Sequence, residues 1–356
     1  MPFASTLSSG SLESGSRFAS LRPFLGVFVL NLLLAFPLFY TTYKQYDEKV
    51  TPWDTRFYMA IVEDGAASQD PPFRYRVLTS WVVAAMRPLP GYDIPIDFTD
   101  DPVAKRDFFH FVMLNGLLTV LTSALLFVWL RRRVEPAYAW AGSVMYLFSF
   151  YTIICGFIPM ADPACHLGFL AGVFAFEARK PLWFALACLI VTFAKDAGLI
   201  ALLGWVVAHS LRERRNLVYL LWGAPALAAW YAAHKLFPGP LVYTYYDSTF
   251  LLGNLFAAFR PSAYGLTGLF QVILAQLPFI AALCGWLWLR VHDASVRRFW
   301  EPGLLLVPGL WWLGMTIDIW TNTGRLIFMA FPVMILFQVR VLRAAARRLG
   351  LDPTAP

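Results

Sequence analysis

Charged side chains are scarce in this chain outside one acidic loop, and several that remain sit in three short turns between apolar blocks. These are Pro159-Met160-Ala161-Asp162-Pro163, Ala194-Lys195-Asp196-Ala197-Gly198 and Asn322-Thr323-Gly324-Arg325. An ionisable group in such surroundings is costly and faces a cavity or a partner. The acidic loop adds Asp47, Asp54, Arg74 and Arg76. A positioned carboxylate can take a proton from a hydroxyl. Arginine and lysine can stabilise charge that develops on a departing phosphate. Gathered in one place, Asp54, Arg74, Arg76, Lys195 and Arg325 set a carboxylate beside fixed cations, which suits a phosphate leaving group next to a hydroxyl acceptor. Taken singly, Lys195, Asp196, Asp318 and Arg325 are each better explained by a helix cap or an ion pair. His166 follows Asp162 by four residues and shares its helical face. His110 begins an apolar helix, and a lone histidine in such a helix is more often a structural hydrogen-bonding group than a reactive one.

The elements that must hold these residues are set by composition. The 356 residues are 59% hydrophobic and 17% aromatic, with only 14% charged, against about 25% charged in ordinary soluble domains. The apolar residues come in long blocks, several near the roughly 20 residues that span a bilayer. We therefore expect an all-α, polytopic transmembrane bundle. The net charge of +7 does not point to nucleic acid, because the basic residues flank apolar blocks instead of forming an exposed basic face. Cys155, Cys165, Cys188 and Cys284 lie in or beside apolar segments without a C-x-x-C pair, so neither a disulfide framework nor a metal site is expected. No cofactor is expected: carboxylates with octahedral spacing are absent, which disfavours a divalent metal without ruling it out, and no nucleotide-binding glycine loop is present.

Ten spans are expected, at about 23–43, 109–130, 137–157, 164–177, 181–194, 197–211, 217–235, 264–289, 299–317 and 326–342. Residues 1–22 read as a disordered cytoplasmic lead, 23–343 as one transmembrane domain and 344–356 as a cytoplasmic tail. Placing both ends inside puts Arg17/Arg22, Arg131–Arg133, Arg179/Lys180, Arg212–Arg215, Arg290–Arg298 and Arg340–Arg348 on the cytoplasmic face, as the positive-inside rule requires. Residues 44–108 then form a long first extracytoplasmic loop, whose aromatic content argues against disorder. Two interfacial helices are expected in it, over 52–61 and 73–86. The aromatic loop Tyr243-Thr244-Tyr245-Tyr246-Asp247 lies on the same face; stacking on a sugar and an interfacial tyrosine belt both account for it.

At Trp53-Asp54-x-x-x-Tyr58-x-x-Ile61 the chain resembles the GT-C superfamily of integral membrane glycosyltransferases, in its polyprenyl-phosphate-sugar-dependent group. Pro72-Phe73-Arg74-Tyr75-Arg76-Val77-Leu78 and Gly324-Arg325-Leu326-x-x-x-x-x-Pro332 are similar to phosphate-side and late-helix elements of such proteins. The resemblance covers the topology but few residues closely. It implies a general base at Asp54 or Asp47 and a phosphate ligand at Arg325 or Lys195, with Arg74, Arg76, Asp162, His166 and Asp196 lining the substrate site. It also implies inverting transfer of a hexosyl or pentosyl group from a polyprenyl-phosphate donor to an acceptor the sequence does not identify, outside a bacterial-type inner membrane. The chain lacks a tight Asp-x-Asp and a soluble C-terminal domain found in some members. Two other readings stay open: a flippase or transporter of a lipid-linked saccharide, and a polymerase joining lipid-linked oligosaccharides.

Overall fold

The computed structural model describes residues 16–44, 54–69, 73–91, 101–236, 265–292, 301–317 and 323–351. Regular structure among them is entirely helical. In chain order the α-helices are α1 (Ser16–Lys44), α2 (Asp54–Asp64), α3 (Leu78–Met86), α4 (Pro102–Arg131), α5 (Pro136–Leu147), α6 (Phe150–Cys155) and α7 (Asp162–Glu177). They continue with α8 (Pro181–Ala194), α9 (Asp196–Ser210), α10 (Val218–Leu236), α11 (Gly265–His292), α12 (Leu306–Ile317), α13 (Thr323–Phe328) and α14 (Phe331–Arg348).

Three helices are long and apolar enough to cross a bilayer: Arg22–Thr42 within α1, the whole of α4, and Ile273–Arg290 within α11. The apolar helices α8 and α9 and the run Pro302–Leu313 are shorter. The finding is thus an all-helical fold with three candidate spans among the described residues, coarser than ten. Leu33 and Phe36 on α1, Leu182 and Trp183 on α8, Leu221 on α10 and Phe270 on α11 are exposed. Apolar surface of that extent suits contact with hydrocarbon better than with water.

Several boundaries differ from the sequence reading, each for a local reason. α1 reaches back to Ser16, into the segment read as a disordered lead. α4 begins at Pro102 instead of 109, because Asp101 caps it through bonds from the Val103 and Ala104 amides (3.0 and 3.3 Å) and Pro102 suits the first turn. Its charged start had been read as loop. The span expected over 137–157 is interrupted after Leu147: the Ser149 hydroxyl accepts from the Thr152 amide (3.3 Å) and starts α6. The last span is likewise divided, with Pro332 in the first turn of α14, and α14 runs to Arg348, into the expected tail. Where two interfacial helices were expected in the long loop, over 52–61 and 73–86, the structure has the helices α2 and α3, the latter preceded by a 3-10 turn at Phe73–Tyr75.

α7 sits at the centre, packed by α4, α8 and α9, while α10 covers α8 and α14 packs between α5 and α11. Close approach of α7 to α9 depends on Gly198, where a Cβ would collide with the Cys165 sulfur. The main core runs from Leu126 and Trp129 through Phe169 and Trp205 to Phe331 and Leu336. A second cluster joins Tyr58, Ile61 and Val62 of α2 to Phe111, Ile158 and Met160, and so seats the loop helices on the turn that leads into α7.

Candidate functional site

Asp162 opens α7, at the end of a turn whose carbonyls point inward. Asn115 of α4 donates to the carbonyls of Ile158 and Met160 (2.5 and 3.0 Å), and the Thr119 hydroxyl donates to that of Gly156 (2.9 Å). These bonds satisfy backbone acceptors that burial has taken from water. Lys195 is the single extended residue between α8 and α9, a geometry that turns its side chain toward the start of α7. Its Nζ donates to Asp162 Oδ1 at 2.8 Å, and both residues are buried (5% and 3% exposed).

Arg325 of α13 closes the centre. Its Nη2 donates to Asp162 Oδ2 (2.7 Å) and its Nη1 to Asp54 Oδ2 (2.8 Å), 271 residues away in sequence. The planar guanidinium fork is the side chain suited to holding two carboxylates at once. The α13 backbone lies close to α6, since a Cβ on Gly324 would collide with the Tyr151 hydroxyl. Beside this group, Arg76 Nη2 donates to Asp196 Oδ1 at 2.9 Å. Arg76 is held by a braced turn: Phe73 stacks on Phe57 (ring centroids 4.1 Å apart), and Tyr75 stacks on His234 of α10 (3.7 Å).

Six residues singled out in the sequence thus form two ion-paired groups on adjoining elements: Asp54, Asp162, Lys195 and Arg325, then Arg76 and Asp196. Arg74 is drawn toward its own loop, where Nε donates to the Gln69 carbonyl (2.6 Å). His166 lies one turn below Asp162, with Nδ1 against the Tyr146 hydroxyl (3.0 Å) and its ring among Phe328 and Phe331. That environment gives it a positioning place under the cluster. His110 is buried beside the Asp107 that binds Arg87, in a separate ion pair of the loop. There the hydrogen bonds from Arg87 to the Asp107 carboxylate hold the guanidinium above its ordinary pKa. Asp47, Trp53, Asp318 and the loop Tyr243–Asp247 lie outside the described residues.

Sequence reasoning missed the support. Asn115 and Thr119 carried a signal, two polar residues four apart in an apolar helix. In the sequence Tyr58 stands only as a member of the helix expected over 52–61 and of the Trp53-Asp54-x-x-x-Tyr58-x-x-Ile61 resemblance, with no site role of its own. Its hydroxyl is fully buried and interacts electrostatically with Arg76, Asp54, Asp162 and Arg325. Among the described residues no group of three or more His, Cys, Asp or Glu is placed to hold a metal ion.

The arrangement offers fixed cations next to a carboxylate at the edge of the cluster. Asp54 is the more accessible of the two acids on Arg325, its side chain 20% exposed against 4% for Asp162. Displacing Asp54 from Arg325 frees one carboxylate and one guanidinium arm together. No protein-family model, curated protein or solved structure matches the chain.

Proposed function

We propose that the protein is a multi-pass membrane glycosyltransferase of GT-C type, which moves a sugar from a polyprenyl-phosphate donor to an acceptor hydroxyl on the extracytoplasmic face. The observation that carries the reading is the Arg325 fork, which holds the partly buried Asp54 and the buried Asp162 at once. The donor phosphate takes the Arg325 arm that Asp54 occupies, with Lys195 behind Asp162 keeping the local charge positive. Asp54, released, accepts the proton of the acceptor hydroxyl. The acceptor oxygen bonds to the anomeric carbon while the carbon–oxygen bond to phosphate breaks, so the polyprenyl phosphate leaves as a monoester with its new charge on the guanidinium. A single displacement of this kind inverts the anomeric configuration.

Asp162 stays ionised between two cations and acts as the anchor of the site. Buried ion pairs also serve purely to hold helices together, and a network with only that role loses stability on mutation but has no donor to turn over. The test uses purified protein in nanodiscs, incubated with radiolabelled polyprenyl-phosphate sugars, with and without total membrane lipids as acceptor. Release of polyprenyl phosphate by the wild type, and its loss in Asp54→Asn, is expected. A folded wild type that turns over no donor, while in proteoliposomes it moves labelled lipid across the bilayer unchanged, replaces this reading with a transporter.

A further inference from the structure

Tyr58 lies four residues after Asp54 on α2, one helical turn along the same face. The residue is 0% exposed, yet its hydroxyl has no hydrogen-bond partner among the described residues. Its ring packs in the apolar cluster with Ile61, Phe73, Phe111 and Met160. Arg76, Asp54, Asp162 and Arg325 all act on it electrostatically. The ring is fixed edge-on to Phe73 (centroids 5.8 Å apart), and the Tyr58 carbonyl accepts from the Ser80 hydroxyl (3.0 Å). A rigid phenol with an unsatisfied buried donor is costly to keep for packing alone, since phenylalanine fills nearly the same volume without the polar atom.

We propose that Tyr58 is a phosphate-binding residue, whose hydroxyl donates to a non-bridging oxygen of a lipid-borne phosphate held between Arg76 and Arg325. The inference rests on the transferase reading of the site and names a contact that reading does not contain. Burial holds the phenol above its ordinary pKa, so it is protonated and able to donate at neutral pH. Its O–H can donate to an anionic phosphate oxygen. It also gives the incoming phosphate a partner that Asp54 leaves unused, and so favours exchange of phosphate for carboxylate on Arg325.

The test compares wild type and Tyr58→Phe in nanodiscs, with three probes: undecaprenyl phosphate, the uncharged undecaprenol and inorganic phosphate. Thermal unfolding of both proteins is followed in parallel. Loss of one hydrogen bond to a charged group weakens binding by roughly tenfold or more. We expect that loss for undecaprenyl phosphate, no change for undecaprenol, and an unfolding temperature for Tyr58→Phe equal to or above wild type. A loss seen with inorganic phosphate alone overturns the lipid-borne assignment and makes free phosphate the ligand. Equal binding of undecaprenyl phosphate by the two proteins overturns the role of Tyr58 and leaves the transferase reading standing. Absence of binding of either phosphate by a folded wild type overturns both. An unfolding temperature for Tyr58→Phe well below wild type means the hydroxyl is already bonded in the resting protein, and overturns the proposal.

Discussion

Asp54 and Asp162 share Arg325 as an ion-pair partner but not a role, and the difference is measurable. Asp162 is buried and carries two cations, so neutralising it leaves Lys195 and one arm of Arg325 without a counter-charge. Breaking a buried pair by removing one partner costs about 3 to 5 kcal/mol. Asp54 is more exposed and carries one arm of Arg325. Asp162→Asn is therefore expected to lower the unfolding temperature in detergent far more than Asp54→Asn. Turnover of lipid-linked sugar by the material that remains folded is expected to fall most in Asp54→Asn. Identical rank orders in the two assays would assign both carboxylates to architecture. These residues were legible in the sequence because a charge in a short turn between apolar blocks has few explanations. The pairing among them was not legible, since nothing in a one-dimensional pattern says which of several carboxylates a guanidinium will reach.

At the scale of elements, the site depends on a turn that contributes no charge until its last residue. Residues 156–161 carry inward carbonyls, and Asn115 with Thr119 satisfies three of them from α4. Asn115→Leu leaves two buried acceptors unpaired, at about 1 to 3 kcal/mol each. Thermal unfolding of this variant is expected to show a loss of at least that of a single acceptor. Donor turnover is expected to fall with it, because Asp162 moves with the turn. An unchanged unfolding profile would mean that other groups satisfy these carbonyls. The boundaries that sequence periodicity misplaced share one cause. Asp101, Ser149 and Pro332 act on the backbone through capping or a missing amide, and a hydropathy block records neither. α8, by contrast, was expected at 181–194 and lies at Pro181–Ala194, because Pro181 marks its start and Lys195 its end.

The molecule as a whole separates its two charged faces along α7. Asp162, the first residue of the helix, joins the ion-paired cluster, while Glu177, the last, binds Arg133 (2.5 Å) and the Trp129 indole (3.0 Å). Sixteen residues of helix set these groups about 22 Å apart. α9 repeats the arrangement, with Asp196 at one end and His209, near Glu301, at the other. Glu135 and Arg343 add a further pair to the arginine-rich end. If the arginine-rich end faces the cytoplasm, as positive-inside orientation requires, a cysteine at Ala66 in a cysteine-free background reacts with an impermeant maleimide on intact cells. One at Arg214 reacts only after lysis. The reverse pattern would place the candidate site inside and remove the reason for a lipid-linked donor.

What the sequence alone determined were features that depend on composition and short spacing: the helical, membrane-suited character, the loop helices α2 and α3, and the residue types able to handle a phosphate and a hydroxyl. Those follow from transfer of apolar blocks out of water and from the rarity of charges among them. Only tertiary structure decided that Arg325 of α13 reaches Asp54 of α2, that Asn115 holds the turn before Asp162, that Arg74 turns to its own loop, and that Tyr58 buries a hydroxyl with no hydrogen-bond partner among the described residues. Each is a contact between elements far apart in the chain, set by how helices pack around α7, and a pairing of that kind leaves no period or motif in the sequence.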